Sequence, residues 1–475
     1  MNVAQSPALT QAQYLMADER IARARALIME AVSERQEGLS GPRPPDPDLA
    51  PGYEALLASF KECRGQPLYY PYIASGFGCG PLVELADGSV KYDMICGIGV
   101  HAFGHSHPRM IGAAFDAVLD DTLMQGNLQQ SATSLKLMQA LLRAANRRGA
   151  GFAHVFLSSS GAMANENALK VLFHKRSPAD RLLVFENCFM GRTLALGCAT
   201  DRPAYRAGLP SSLTVDYVPF YDHRRPAQST ARAVEVLESH LARHPGRHAA
   251  MGFELVQGEG GYHAGSPRFF RALSAVLRKA GVPLMVDEIQ TFGRGQEIFA
   301  FQAFGLDQEA QVVTCGKMLH ACATLFRKEL APAPGLLSQT FTASSASLRA
   351  GLMVLEALEN GGLTGKNGRI PVLARYFCKG LAHLAKRFPQ TVAGPFGFGA
   401  MIAFTLENGD GEKTKAFCRD LFDAGIIAFP AGGHPARVRF LPPFPAMEQS
   451  DVDAVLAILG KVIEARVRAS KKGET

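Results

Sequence analysis

Four short stretches carry side chains that could do chemistry together. An apolar run, Pro283 to Val286, ends on two adjacent carboxylates, Asp287 and Glu288, with Gln290 just beyond. A buried strand does not finish on negative charge unless something positive meets it. A second run, "QVVTC", leads straight into Gly316 and Lys317. A third, "HVFLS", opens into "SSGAMANENALK", where Ser160, Gly161 and Ala162 begin a helical pattern. Free backbone N–H groups at such a helix start would cradle a phosphate. A fourth, "RLLVFE", is followed by "NCFMGRT", with a ring, Phe189, and a cation, Arg192. Each alone reads as an ordinary turn or a surface residue. Together they describe one pocket, with a phosphate cradle, an aromatic plate, a buried carboxylate and a lysine.

These residues need a frame that brings them to one place. Apolar runs that read as strands are "HVFLS", "RLLVFE", "LTVDYV", "MGFELV", "PLMVD" and "QVVTC". Helical stretches such as "NENALKVLFHKR", "ARAVEVLESHLARH" and "RFFRALSAVLRKAG" lie between several of them. That alternation predicts a mostly parallel, doubly wound α/β sheet, its strands buried on both faces. Ligands bind such sheets beyond the carboxyl ends of the strands, which is where the four stretches fall. Residues 105–345 are read as this large domain. Beyond it come helices (Leu348 to Leu358, Pro371 to Phe388, Asp451 to Ala465) with short strands in "GAMIAFTL" and "ARVRFL". Residues 346–475 are therefore read as most of a smaller α+β domain. Residues 1–104 supply an arm and the remainder, around "GPLVELADGSVKYDMICG". The arm holds one helical pattern, Glu19 to Gln36, and the proline-rich "GPRPPDPDLAPG", read as a linker.

Composition narrows the function classes. At 475 residues and 47% hydrophobic, the chain can bury a substantial core. Its net charge of +7 is spread among mixed signs, which suits an anionic substrate better than nucleic acid. Nine scattered cysteines without a CxxC pair predict neither a disulfide framework nor a metal site, and fit a reducing cytoplasm. The first residues carry acids and no long apolar core, so no secretory signal is expected. No run reaches the roughly 18 apolar residues a membrane helix needs. A nicotinamide-binding enzyme lacks its GxGxxG turn, "GFGCG" having the wrong spacing. A phosphate-binding P-loop is excluded, since no Gly-Lys pair has a glycine five residues earlier or a Ser/Thr after it.

A ligand with a phosphate, a flat ring, a protonatable ring nitrogen and an aldehyde would satisfy all four stretches, and pyridoxal phosphate is that ligand. The stretch from Val282 to Lys317, with "SSSGAMANENALK", "FMGRT" and "ELVQGEGG" in order, resembles the class III aminotransferases, the ω-amino-acid and acetylornithine-type group of fold type I pyridoxal-phosphate enzymes. The resemblance implies a large domain with a seven-stranded sheet sandwiched by helices, and a small domain built from both chain ends. It implies Lys317 as the Schiff-base lysine and Asp287 as partner of the ring nitrogen. Phe189 would stack on the ring, Gln290 lie near its phenolic oxygen, and Ser160, Gly161 and Ala162 hold the phosphate. Thr340, in "SQTFTASS", would reach the phosphate of a neighbouring subunit, implying a homodimer with shared sites. Arg192 and Arg439 match the arginines used for the two carboxylates of glutamate and 2-oxoglutarate, with Glu259 pairing Arg439 when an ω-amine is bound; a surface salt bridge is the alternative for each arginine.

The expected activity moves an amino group from an ω-amine or amino-acid donor (ornithine, acetylornithine, γ-aminobutyrate, lysine or a diamine) to 2-oxoglutarate by a ping-pong cycle. Aminomutase, decarboxylase and racemase chemistry, or a non-catalytic protein of this fold, are the competing readings. Donor contacts are expected from "YYPYIASGFG" and "MQGNLQQ". Several positions depart from the family pattern: Met163 for Glu, Met190 for His, "MLHACATLF" for a glycine-rich stretch, "TFTASS" for "TFGGNP", and Gln311 for an acid. His320 and Cys322 are read as packing residues, and Glu288 is left outside the site.

Overall fold

A computed structural model describes residues 9–120 and 124–472; the first part of the arm and the last three residues lie outside the described residues. Its centre is a seven-stranded sheet built from β1 (Phe152–Ser158), β2 (Arg181–Phe185), β3 (Thr214–Val218), β4 (His248–Glu254), β5 (Leu284–Glu288), β6 (Ala310–Cys315) and β7 (Cys322–Arg327). The order is β1-β7-β6-β5-β4-β2-β3. β7 runs antiparallel to both neighbours and the others run parallel. The sequence reading has no strand at β7, because "HACATLF" stands where a glycine-rich stretch was expected. Only the six residues 316–321 separate it from β6, so it must return as a hairpin, whereas parallel neighbours need a long crossover.

The two faces of the sheet can be read off β5. Leu284 and Val286 join the large core beneath Phe253, Phe269 and Phe270. Met285 joins a second core with Val312 of β6 and Ala168 and Leu172 of α1 (Gly161–Arg176). Side chains alternate along a strand, so Asp287 emerges on the α1 face and Glu288 on the opposite one. Helices α2 (Pro226–Arg243) and α3 (Pro267–Lys279) pack against each other on the Val286 side.

The C-terminal part forms an antiparallel sheet of Val392–Phe398, Met401–Leu406, Arg437–Phe440 and Phe429–Ala431, in that order. The N-terminal strands Ala74–Cys79, Leu82–Leu85 and Val90–Asp93 make another sheet, closed by Ile426–Ile427 pairing with the last of them. The helix expected over Glu19–Gln36 is present, with Asp18 capping it. A further helix, Ala50–Arg64, starts inside the proline-rich stretch read as linker. Its proline falls in the first turn, where a missing N–H is harmless, and Gly65 ends it in the left-handed conformation at φ 73°.

Candidate active site

Asp287 is the next-to-last residue of β5, beneath the first turns of α1. Its Oδ2 accepts from Asn165 Nδ2 at 2.7 Å and its Oδ1 from the Ile289 N–H at 2.9 Å. Asn165 is held in turn by Thr314 Oγ1, which donates to its Oδ1 at 2.7 Å, so both ends of that amide are fixed. Among the described residues no cation comes within ion-pair distance of the carboxylate. Burial therefore dominates over these hydrogen bonds and pushes Asp287 up to about 6.

Lys317 follows β6 in a single 3-10 turn, Lys317–Leu319. Its backbone sits at φ 46°, and that of His320 at φ 60°. Such conformations are rare for residues with a Cβ and persist where the surroundings impose them. Burial, then the charge of Arg439, lowers the Lys317 amine to about 8. A lysine held there is far more often neutral, hence nucleophilic, than one in water.

Both side chains open into a cavity of about 480 Å³, whose walls include Gly161, Ala162, Phe189, Arg192 and Gln290. Ser160 caps α1, its Oγ accepting from the Met163 N–H at 3.2 Å, and is not part of the cavity wall. The N–H groups of Gly161 and Ala162 are left among the unpaired donors of the helix start. A Cβ on Gly161 would lie 2.9 Å from Ile289 Cγ2, so no larger residue fits there without displacement. Phe189 is fixed by its N–H donating to Glu254 at 2.9 Å. Gln290 is buried, and its Oε1 has no hydrogen-bond partner.

The three residues expected to contact substrate are arranged differently. Arg192 is exposed at the cavity edge, stacked 3.7 Å over the Tyr205 ring. Arg439 is fully buried, and its Nη1 meets Glu259 Oε1 at 2.7 Å behind the cavity wall. Burial opposes the Arg439 charge, but Glu259 and Tyr262 together outweigh it and hold the guanidinium above its ordinary range. Nε and Nη2 of Arg439 have no partner. Glu259 also faces a neighbouring depression with Tyr69, Arg202 and Tyr205, so part of "YYPYIASGFG" borders the pair. Thr340 is exposed and lines no part of this cavity; its backbone lies against Gly126 of "MQGNLQQ".

Several wall residues were not placed in the site by the sequence, among them Asn165, Glu254, His320 and Cys322. Asn165 and Glu254 are the most consequential. Glu254 ends β4 in register with Asp287. It accepts from Phe189 N and Gly258 N, both at 2.9 Å, and burial followed by the Asp287 charge pushes it up to about 8. It follows an apolar run just as Asp287 does, so inspecting that strand's last residue would have found it. Asn165 offers no such signal, since only the packing of α1 on the sheet brings it to Asp287. The other two, His320 and Cys322, were read as packing residues and line the cavity. Burial, then His101, lowers His320 to about 4, so its imidazole is neutral. Glu288, on the other face, is fully buried and accepts from Ala300 N and Phe301 N, both at 2.6 Å. It caps the short helix Ala300–Ala303, outside the cavity.

The cavity fits pyridoxal phosphate. Its floor has a buried carboxylate lacking a cation, its wall a buried amide oxygen lacking a donor, its mouth a helix start without room for a side chain, and its far side a lysine amine near neutrality. Among the described residues no group of three or more His, Cys, Asp or Glu could hold a metal ion, and no helix is long and apolar enough to cross a membrane.

Comparison with known proteins agrees with this architecture. A family model described as aminotransferase class-III matches residues 72–463. An acetylornithine aminotransferase of Prochlorococcus marinus is 27% identical over 441 residues, spanning 90% of this chain and 97% of the relative. Another, of Methanocaldococcus jannaschii, is 27% identical over 398 residues, spanning 81% and 92%. Among solved structures, a lysine aminotransferase of M. tuberculosis superposes with a TM-score of 0.77 at 22% identity, covering 86% of this chain and 99% of its own. An ornithine aminotransferase of Toxoplasma gondii gives 0.76 at 21%, covering 88% and 96%. These likenesses assign the sheet and its helices to fold type I.

Proposed function

The chain belongs to the class III aminotransferase family, and we propose that it transfers an amino group from an ω-amine or amino-acid donor to 2-oxoglutarate in a ping-pong cycle. Pyridoxal 5'-phosphate is its cofactor, and when bound it supplies the electron sink that loosens the bonds at the amine-bearing carbon of the substrate. Asp287 would hold the proton on the ring nitrogen, an opposite charge that returns its carboxyl to the ionised state. Phe189 would cover one ring face, Gln290 lie beside the phenolic oxygen, and the start of α1 take the phosphate, with Ser160 holding that turn in shape. Lys317 would bind the aldehyde carbon and then move a proton at its Nζ, a role suited to an amine near 8.

The observation that carries the choice of 2-oxoglutarate is the Glu259–Arg439 pair. A buried guanidinium with two unpartnered N–H-bearing nitrogens suits a carboxylate fork. With Glu259 paired, the same position suits an amine end that carries no carboxylate. Arg192, exposed at the edge, would take the other carboxylate. Acetylornithine and ornithine heads among the relatives make an α,ω-diamino acid the leading donor class. Thr340, exposed and away from its own cavity, is consistent with a site completed by a second copy. The large domain over 105–345 and a small domain from both chain ends complete the proposal. A screen of amine donors against 2-oxoglutarate and pyruvate tests it: ω-amines with 2-oxoglutarate should give glutamate. Turnover with pyruvate alone, or release of carbon dioxide without amino transfer, would reject it.

A further inference from the structure

The strand that carries Arg439 also carries Arg437, two residues earlier on the same face. Arg439 has Glu259; among the described residues Arg437 has no carboxylate within ion-pair distance. It is 3% exposed, donates through Nη1 to the Gly261 carbonyl at 2.6 Å, and lies 3.8 Å over the Phe396 ring. Its Nε has no partner. A buried guanidinium without a counter-charge is costly, and neither a carbonyl nor an aromatic face replaces an anion.

Arg437 lines a second cavity, of about 280 Å³, that shares no wall residue with the active-site cavity. Two further basic side chains, His223 and His263, line it as well. Burial, then the charge of Arg437, lowers His263 to about 4, while burial and nearby Arg224 lower Arg437 to about 10. The acid that acts on His263 is Asp222, whose Oδ1 is taken by the Arg224 N–H at 2.9 Å. Phe396, Phe398 and Ile402 give the wall its apolar part, and Tyr221 and Tyr262 line it too, the Tyr262 hydroxyl buried without a hydrogen-bond partner.

We propose that this cavity binds a small organic anion, its carboxylate or phosphate head on the Arg437 guanidinium and its apolar body against Phe396 and Ile402. The site stands behind the turn that carries Glu259, on the far side of Tyr262, and is separate from the transamination site. The guanidinium takes either head by the same forked donation, so the head group is resolved by experiment.

Calorimetric titration of the cofactor-loaded protein with benzoate, phenyl phosphate and inorganic phosphate tests this. At least one of the two aromatic anions should bind, more tightly than inorganic phosphate, without altering the cofactor absorbance. Arg437→Gln should weaken binding at least about tenfold and Arg437→Lys partly restore it, because only the fork is lost. His223→Ala, at an exposed position 6.0 Å from the Phe396 ring, leaves the fold alone and should weaken binding about threefold. Arg192→Gln should leave it unchanged. Absence of heat at millimolar aromatic anion would overturn the proposal. So would binding that survives both Arg437→Gln and His223→Ala, or that disappears with Arg192→Gln.

Discussion

Replacing Asp287 by Asn should stabilise the cofactor-free protein while impairing the loaded one. Burial raises the Asp287 carboxyl from 3.8 to about 6, roughly 2 units, worth about 3 kcal/mol at 1.36 kcal/mol per unit. The sign follows from proton binding. Between those two values the folded state holds the proton and the unfolded state does not, so stability falls as pH rises and the penalty is complete above about 6. Asn removes that penalty. Its single amide oxygen can accept from Asn165 or from Ile289 but not both, which costs about 1 kcal/mol. The variant should therefore gain about 2 kcal/mol at pH 7. The gain should shrink towards zero near pH 4.5, where only about 1 kcal/mol of penalty remains in the parent. The chain has no tryptophan, so urea unfolding of the stripped proteins is followed by circular dichroism. With cofactor bound the order should reverse, since the ring nitrogen loses its counter-charge. A variant less stable than the parent at pH 7, or a difference that does not change with pH, would refute the picture of an uncompensated buried carboxylate.

Gly161→Ala places a methyl 2.9 Å from Ile289 Cγ2 and should weaken cofactor affinity about tenfold; Ile289→Val, which removes the neighbouring Cδ1 contact at 3.1 Å, should recover part of it in an equilibrium titration. Glu259→Gln leaves the buried Arg439 without its counter-charge and should raise the KM of an ω-amine donor about tenfold while sparing that of 2-oxoglutarate. Equal effects on both half-reactions would contradict the pairing. The rate at which stripped protein takes up cofactor should rise about tenfold per pH unit below 8 and level off above it, because Lys317 titrates near 8 and only its neutral amine attacks. Stopped-flow absorbance measures it, and a plateau beginning two units higher would mean an unperturbed lysine.

The sequence makes the sheet legible wherever a strand is a continuous apolar run, and six of its seven strands are such runs. β7 escapes because its residues stand where a family pattern expects glycines, so likeness to the family hid what "CATLF" would have suggested. The short strands Ile426–Ile427 and Phe429–Ala431 are too brief to show a period; pairing with distant segments creates them. In the site, the inspected strand ends lead directly to Asp287, Phe189 and Lys317. Glu254 was missed because its neighbours Leu255 and Val256 make the apolar run look longer than the strand. Asn165 was out of reach, since a helical residue becomes a ligand of Asp287 only after α1 docks. The same alternation that puts Asp287 against α1 sends Glu288 the other way, to cap Ala300–Ala303, which accounts for two adjacent buried acids with unrelated roles.

Lys317 should carry the cofactor and exchange it within one amino-transfer cycle. Borohydride reduction followed by peptide mapping reads this directly, because reduction fixes the cofactor to whatever lysine holds it. The loaded enzyme should carry the cofactor mass on the peptide containing Lys317. One equivalent of an ω-amine donor should remove that label, and 2-oxoglutarate should restore it with formation of glutamate. A label on any other lysine, or a label that 2-oxoglutarate fails to restore, would contradict the account.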